Sequence, residues 1–146
     1  MRLGLTAVVV LLATGCASSH HAVPPQIPQR PSLPTKASSD SPQCPRHPKT
    51  TVDYEACAGL RAFKLDARFD RAVTALWPLL DAIGRQEFAD GQRAWNHYVA
   101  QDCHVEAREY LGGTEAPLAT AYCEVALTRA RVKEVAGTLA SYRQGK

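Results

Sequence analysis

Four cysteines and a double glycine constrain this chain more than any other feature. Cys103 lies ten residues before Gly113, and Cys123 lies ten residues after it. A helical hairpin bent at Gly112-Gly113 brings both cysteines to one level, as a disulfide needs with its Cα atoms about 5.5 Å apart. Cys44, Cys57, Cys103 and Cys123 allow three connectivities, and their number alone does not choose among them. The hairpin geometry pairs Cys103 with Cys123 and leaves Cys44 with Cys57. Each bridge is worth roughly 3 kcal/mol in the chain-entropy account, a substantial supplement for a bundle of under about 100 residues.

The segment from Thr50 onward has apolar residues at helical spacing and no strand-like alternation. Three helices are expected. The first covers about 52–83, with Cys57, Leu60, Phe63, Phe69, Val73, Leu76 and Leu80 near one face, a kink or split at Pro78 and a stop at Gly84. The second covers about 87–110 and offers Phe88, Trp95, Tyr98, Val99 and Val105 to the core. The third follows Pro117, which suits a helix first turn, and runs to about Tyr142. Leu118, Tyr122, Val125, Val132, Val135 and Leu139 are its inward candidates. Short connections favour antiparallel neighbours, so the fold class is all-α: a small antiparallel bundle of about three helices with two disulfides.

The N-terminal part reads differently. Met1-Arg2, the apolar run Leu3 to Leu12 and the small residues Ala13-Thr14-Gly15 form a signal peptide over residues 1–15. The run is about half the length a membrane-spanning helix needs. Leu11-Leu12-Ala13-Thr14-Gly15-Cys16 resembles a bacterial lipobox, which implies a lipid on Cys16 and leaves an even four cysteines. Ala17 is non-acidic, which in a Gram-negative host implies the periplasmic face of the outer membrane. Residues 16–49 carry Pro24, Pro25, Pro28, Pro31, Pro34, Pro42, Pro45 and Pro48 with many serines, a composition expected to give an extended, disordered tether.

The charge divides along the same boundary. The whole chain carries +3, but the tether alone accounts for +3 through Arg30, Lys36, Arg46 and Lys49 against Asp40. Arg2 belongs to the signal peptide, and residues 50–146 are near neutral at −1. A domain so close to neutral gives no charge argument for nucleic acid or against a cationic target, and no nucleic-acid partner is expected. No zinc motif, phosphate loop or nucleophile elbow is present, so no cofactor and no catalytic residue is assigned. His97 and His104 share a helix face beside Cys103, yet without CxxC or HExxH spacing no metal role is assigned either.

Gln92-Arg93-Ala94-Trp95, then Tyr98, Cys103, Gly112-Gly113-Thr114, Cys123, Thr128 and Arg131 together resemble the LprI-type lysozyme-inhibitor domain of bacterial envelopes. The resemblance covers about Cys44 to Leu139, with Cys44 and Cys57 where that family has its first cysteine pair. Val99-Ala100 stands where the family pattern has Arg-Asp, and Thr114 where it has Ser. The resemblance implies a non-enzymatic domain that blocks a lysozyme-like glycosidase. Alternatives are a non-inhibitory envelope adaptor and a structural lipoprotein.

Two charge stripes are candidate surfaces. Asp102, Glu106 and Glu109 follow i+4, i+3 spacing, with Glu115 just past the turn. With Gly112, Gly113 and Thr114 at a protruding turn, they are the candidate contacts for a cationic partner. Arg61, Lys64, Arg68 and Arg71 form a basic stripe on helix one, suited to anionic headgroups or wall polymers. Trp95 is expected as a core anchor packed with Tyr98. Arg93 and Arg131 are expected in carboxylate pairs that fix helix register.

Overall fold

Thr50 opens the first helix with a reciprocal cap. Its hydroxyl accepts from the Asp53 N–H at 3.2 Å, and the Asp53 carboxylate accepts from the N–H groups of Lys49 at 2.9 Å and Thr50 at 3.0 Å. A helix start leaves such donors without intrahelical partners. The Lys49 amide above all, then that of Thr50, holds the Asp53 carboxyl below its ordinary pKa.

The computed structural model describes residues 28–33 and 43–145. Among them α1 spans Thr51–Leu76, α2 Ala82–Glu106 and α3 Glu115–Arg143. Single 3-10 turns occupy Trp77–Leu79 and Ala107–Tyr110, and there is no strand among the described residues. The expected all-α, three-helix architecture is the one observed. The leader 1–15 and Cys16 lie outside the described residues.

The first break falls earlier than Gly84. Pro78 has no N–H to continue the ladder, so α1 gives way to the 3-10 turn at Trp77. Asp81 then caps α2, its carboxylate accepting from the Gly84 N–H at 2.7 Å. Gly84 therefore sits in the first turn of α2 rather than stopping α1. At the second break Gly112 adopts φ +86°, the left-handed region that glycine enters without penalty. The Gly113 N–H closes that turn on the Tyr110 carbonyl at 3.0 Å.

Helix α3 is the spine. It packs on both α1 and α2, while the backbones of α1 and α2 stay largely apart. One cluster joins Ala58, Ala62 and Leu65 of α1 to Ala121 and Val125 of α3. Another joins Phe69, Val73 and Leu76 to Val135 and Leu139. Early residues thus meet early residues, so α1 and α3 run parallel, and α2 runs against both. The Cys103–Cys123 disulfide, Cα–Cα 5.4 Å, ties the end of α2 to the start of α3. Cys44–Cys57, Cα–Cα 4.3 Å, clips the end of the tether to α1. Both bridges match the hairpin argument.

Residues 28–33 depart from the expectation of an unpacked tether. Leu33 is buried in the cluster of Phe69, Val73, Leu76, Leu80, Val135 and Leu139. Arg30 pairs with Asp70 at 3.1 Å and also donates to the Thr74 hydroxyl. From the other side Asn96 of α2 donates to the Ser32 carbonyl at 3.2 Å. The segment is a strap laid between α1 and α2, and its one large apolar side chain supplies the burial that the proline-rich composition otherwise lacks.

Four expected core residues are at the surface instead: Phe63, Tyr98, Val105 and Tyr122. With α1 and α2 apart, each helix buries a narrower stripe than a closed bundle requires. The aromatic pair of the core is Trp77 with Phe88, edge to face at 6.4 Å, not Trp95 with Tyr98. Trp95 is half-buried against two of the clusters.

Candidate docking site

The last turns of α2 and the 3-10 turn after it fold back over the start of α3. Ala107 is buried beneath this turn, and Cys103 is fully buried in its disulfide. With the base fixed, the outer side chains form a hollow of about 430 Å³ between the two segments. Val105, Glu106, Glu109 and Tyr110 line one wall, and Ala119 and Tyr122 line the other. Val105 is 64 % exposed, Tyr110 41 % and Tyr122 37 %, with Leu111 exposed beside them.

Two carboxylates thus flank two tyrosines and a valine. The Glu106 and Glu109 side chains enter no ion pair among the described residues. Exposed aromatic area ringed by unpaired charge is the usual composition of a protein-docking patch, where tyrosine anchors and charge steers. The chemistry on offer is recognition of a cationic surface.

The predicted contacts are only partly brought together. Glu106 and Glu109 line the hollow. Gly112, Gly113 and Glu115 follow at the exposed turn, while Thr114 lines a separate hollow with Thr50, Thr51, Val52, Glu55 and Pro117. Asp102 stands apart: it accepts the Tyr98 hydroxyl at 3.1 Å, which raises the Tyr98 pKa, and it does not line the hollow. Val105, Tyr110 and Tyr122 are the contacts that sequence reasoning missed. Periodicity assigns Val105 and Tyr122 to the core. For Val105 and Tyr110 the available signal is their position beside Glu106 and Glu109 at the end of α2, where the helix has little left to pack against.

The other motif residues build the scaffold. Gln92 is fully buried and accepts from the Arg131 Nε–H at 3.0 Å while donating to Asn96 at 2.8 Å. Arg131 also pairs with Glu134 at 3.1 Å and lies over the Phe88 ring. Arg93 pairs with Asp90 on its own helix. Thr128 is buried, and its hydroxyl has no hydrogen-bond partner among the described residues. Ala94 and Tyr98 are exposed. Both arginines therefore meet carboxylates one turn away, as expected, but the bond between helices runs from Arg131 to Gln92. His97 and His104 are exposed, and no group of three metal-ligating side chains occurs among the described residues.

The family model for the lysozyme inhibitor LprI matches residues 44–135, from the first bridged cysteine to Val135 of the core. The chain belongs to the LprI lysozyme-inhibitor family. No curated protein and no solved structure gives a significant match. Within this LprI domain Val99 is buried against the Cys103–Cys123 bridge.

Proposed function

We propose that this protein inhibits lysozyme-type glycosidases by steric binding, with the hollow between the end of α2 and the start of α3 as its contact surface. Family membership supplies the class of partner. The observation that carries the site is the pairing of Glu106 and Glu109 with exposed Tyr110 and Tyr122 around one hollow. Lysozyme-type enzymes that act on anionic wall polymers present cationic clefts, and a carboxylate-rimmed aromatic patch complements such a surface. We further propose that Cys16 carries lipid and holds the domain in the cell envelope, on the periplasmic face of the outer membrane in a Gram-negative host. Among the described residues no helix is long and apolar enough to cross a membrane.

The test is a titration of the lipid-free chain, carrying Cys16→Ser, against lysozymes of several types. Inhibition that saturates near one inhibitor per enzyme supports the proposal. Full activity of every lysozyme at large molar excess refutes it. For the anchor, a Cys16→Ser chain that still takes up labelled lipid in cells removes Cys16 as the acceptor.

A further inference from the structure

The face of α1 and α3 turned away from α2 carries a segregated set of cations that the inhibitor reading leaves unused. On α1, Asp70 and Thr74 hold the strap, which also reaches Asn96 of α2, so this flank of α1 faces α2. Asp66 lies one turn before Asp70 on the same flank. At 100° per residue Arg61 and Arg68 lie on the opposite flank, with Lys64 and Arg71 at its outer edge. On α3, Cys123, Leu127 and Arg131 make the contacts toward α2. Arg129 and Lys133 project from the other side of that helix. Both cationic flanks thus point away from α2 and share one surface.

Three observations separate this surface from an ordinary solvated face. All six cations are exposed, and none enters an ion pair among the described residues. The acids of mid-α1 are on the far flank. Tyr54 and Tyr122, 40 % and 37 % exposed, each stand seven residues before a cation of the face, Arg61 and Arg129 respectively. Cations in an extended array with amphipathic rings at one end suit a plane of headgroups, where tyrosine settles at the interface and each nearby Lys or Arg adds attraction. A groove is not needed for this.

We propose that this α1/α3 face docks on an anionic phospholipid surface. The proposal shares Tyr122 with the hollow but none of its six cations, so an inactive inhibitor leaves it intact. If Cys16 is lipidated, the face supplies the second of the two signals that stable attachment needs.

The experiment uses the full chain with Cys16→Ser and vesicles of phosphatidylcholine with or without phosphatidylglycerol. The apolar run of residues 3–12 contributes to both vesicle types, so the quantity read is the ratio of the two affinities. Charge-neutral replacement of three face cations, R61Q/R68Q/K133Q, is compared with R93Q/R108Q/R143Q, which removes three exposed cations elsewhere. Circular dichroism checks that both variants stay helical. The expected result is a preference for anionic vesicles that weakens with salt. The face variant loses it by about 100-fold, about fivefold per cation, and the control keeps most of it. Equal losses in both variants, no preference for anionic vesicles, or binding to a soluble polyanion without binding to vesicles each overturn the proposal.

Discussion

Arg131 reaches across from α3 to Gln92 on α2, Nε to Oε1 at 3.0 Å, and Gln92 has no exposed surface. Removing Gln92 strands a mostly covered guanidinium donor. A hydrogen bond to a charged group contributes about 2 kcal/mol, so Gln92→Ala is expected to lower unfolding free energy by that amount. Urea denaturation measures it. The slope with denaturant should be unchanged, since no helix is lost.

The two disulfides are expected to differ in effect. Replacing Cys103 and Cys123 together by alanine removes about 3 kcal/mol of loop-closure stabilisation and also opens packing around Val99 and Leu127. Replacing Cys44 and Cys57 removes a similar entropic contribution, but Cys44 is exposed and little packing goes with it. Thermal unfolding should rank the first double variant below the second.

Glu124 gives a pH signature. Burial raises its pKa above the ordinary 4.5, so the folded state binds its proton more tightly than the unfolded chain does. Its ionisation therefore erodes stability as pH rises from 4.5 through the folded value. Glu124→Gln should be more stable than the parent at neutral pH, with the advantage vanishing below 4.5. Unfolding free energies at both pH values decide it, and an advantage that persists in acid contradicts the assignment.

At the docking site, Tyr110→Ala should weaken lysozyme inhibition by roughly 30-fold, the scale of an aromatic anchor. E106K/E109K should act mainly on association rate and flatten its salt dependence. Surface plasmon resonance with the enzyme immobilised separates the two effects. A dominant effect of E106K/E109K on dissociation places those carboxylates in the buried centre instead of the rim.

The strap offers a local test. Leu33→Asp puts a charge among Phe69, Val73 and Leu139, and Arg30→Ala removes the pair with Asp70. Proteinase K cleavage within residues 28–33 should quicken markedly in the first variant and modestly in the second. The helical circular dichroism of both should persist.

The bridges were legible because a hairpin has one geometry: two cysteines equally far from Gly113 must meet if the turn is there. Helix content was legible from apolar spacing for the same reason of regularity. Which apolar residues stay outside was not, because that depends on how far apart α1 and α2 stand, and no local pattern encodes that distance. Tyr122 sits at a core-like position and is exposed; Leu33 sits among prolines and is buried. Half of the hollow was legible, the carboxylates Glu106 and Glu109. Its apolar half was hidden because Val105 and Tyr122 continue the helical stripe in sequence while α2 ends at Glu106 and leaves both exposed.

The seated strap and the Cys44–Cys57 clip also decide how tension travels. A pull arriving from the N-terminal side meets Arg30 and Leu33 first, in a contact that peels without unfolding any helix. What remains then enters α1 through the covalent bridge at Cys57, bypassing the Thr50–Asp53 cap. A second bridge carries load between α2 and α3 at Cys103–Cys123, directly beneath the hollow. Load entering at Cys57 therefore reaches the base of the hollow through the packing of α1 on α3 and the Cys103–Cys123 bridge, without passing through the 3-10 turn above it.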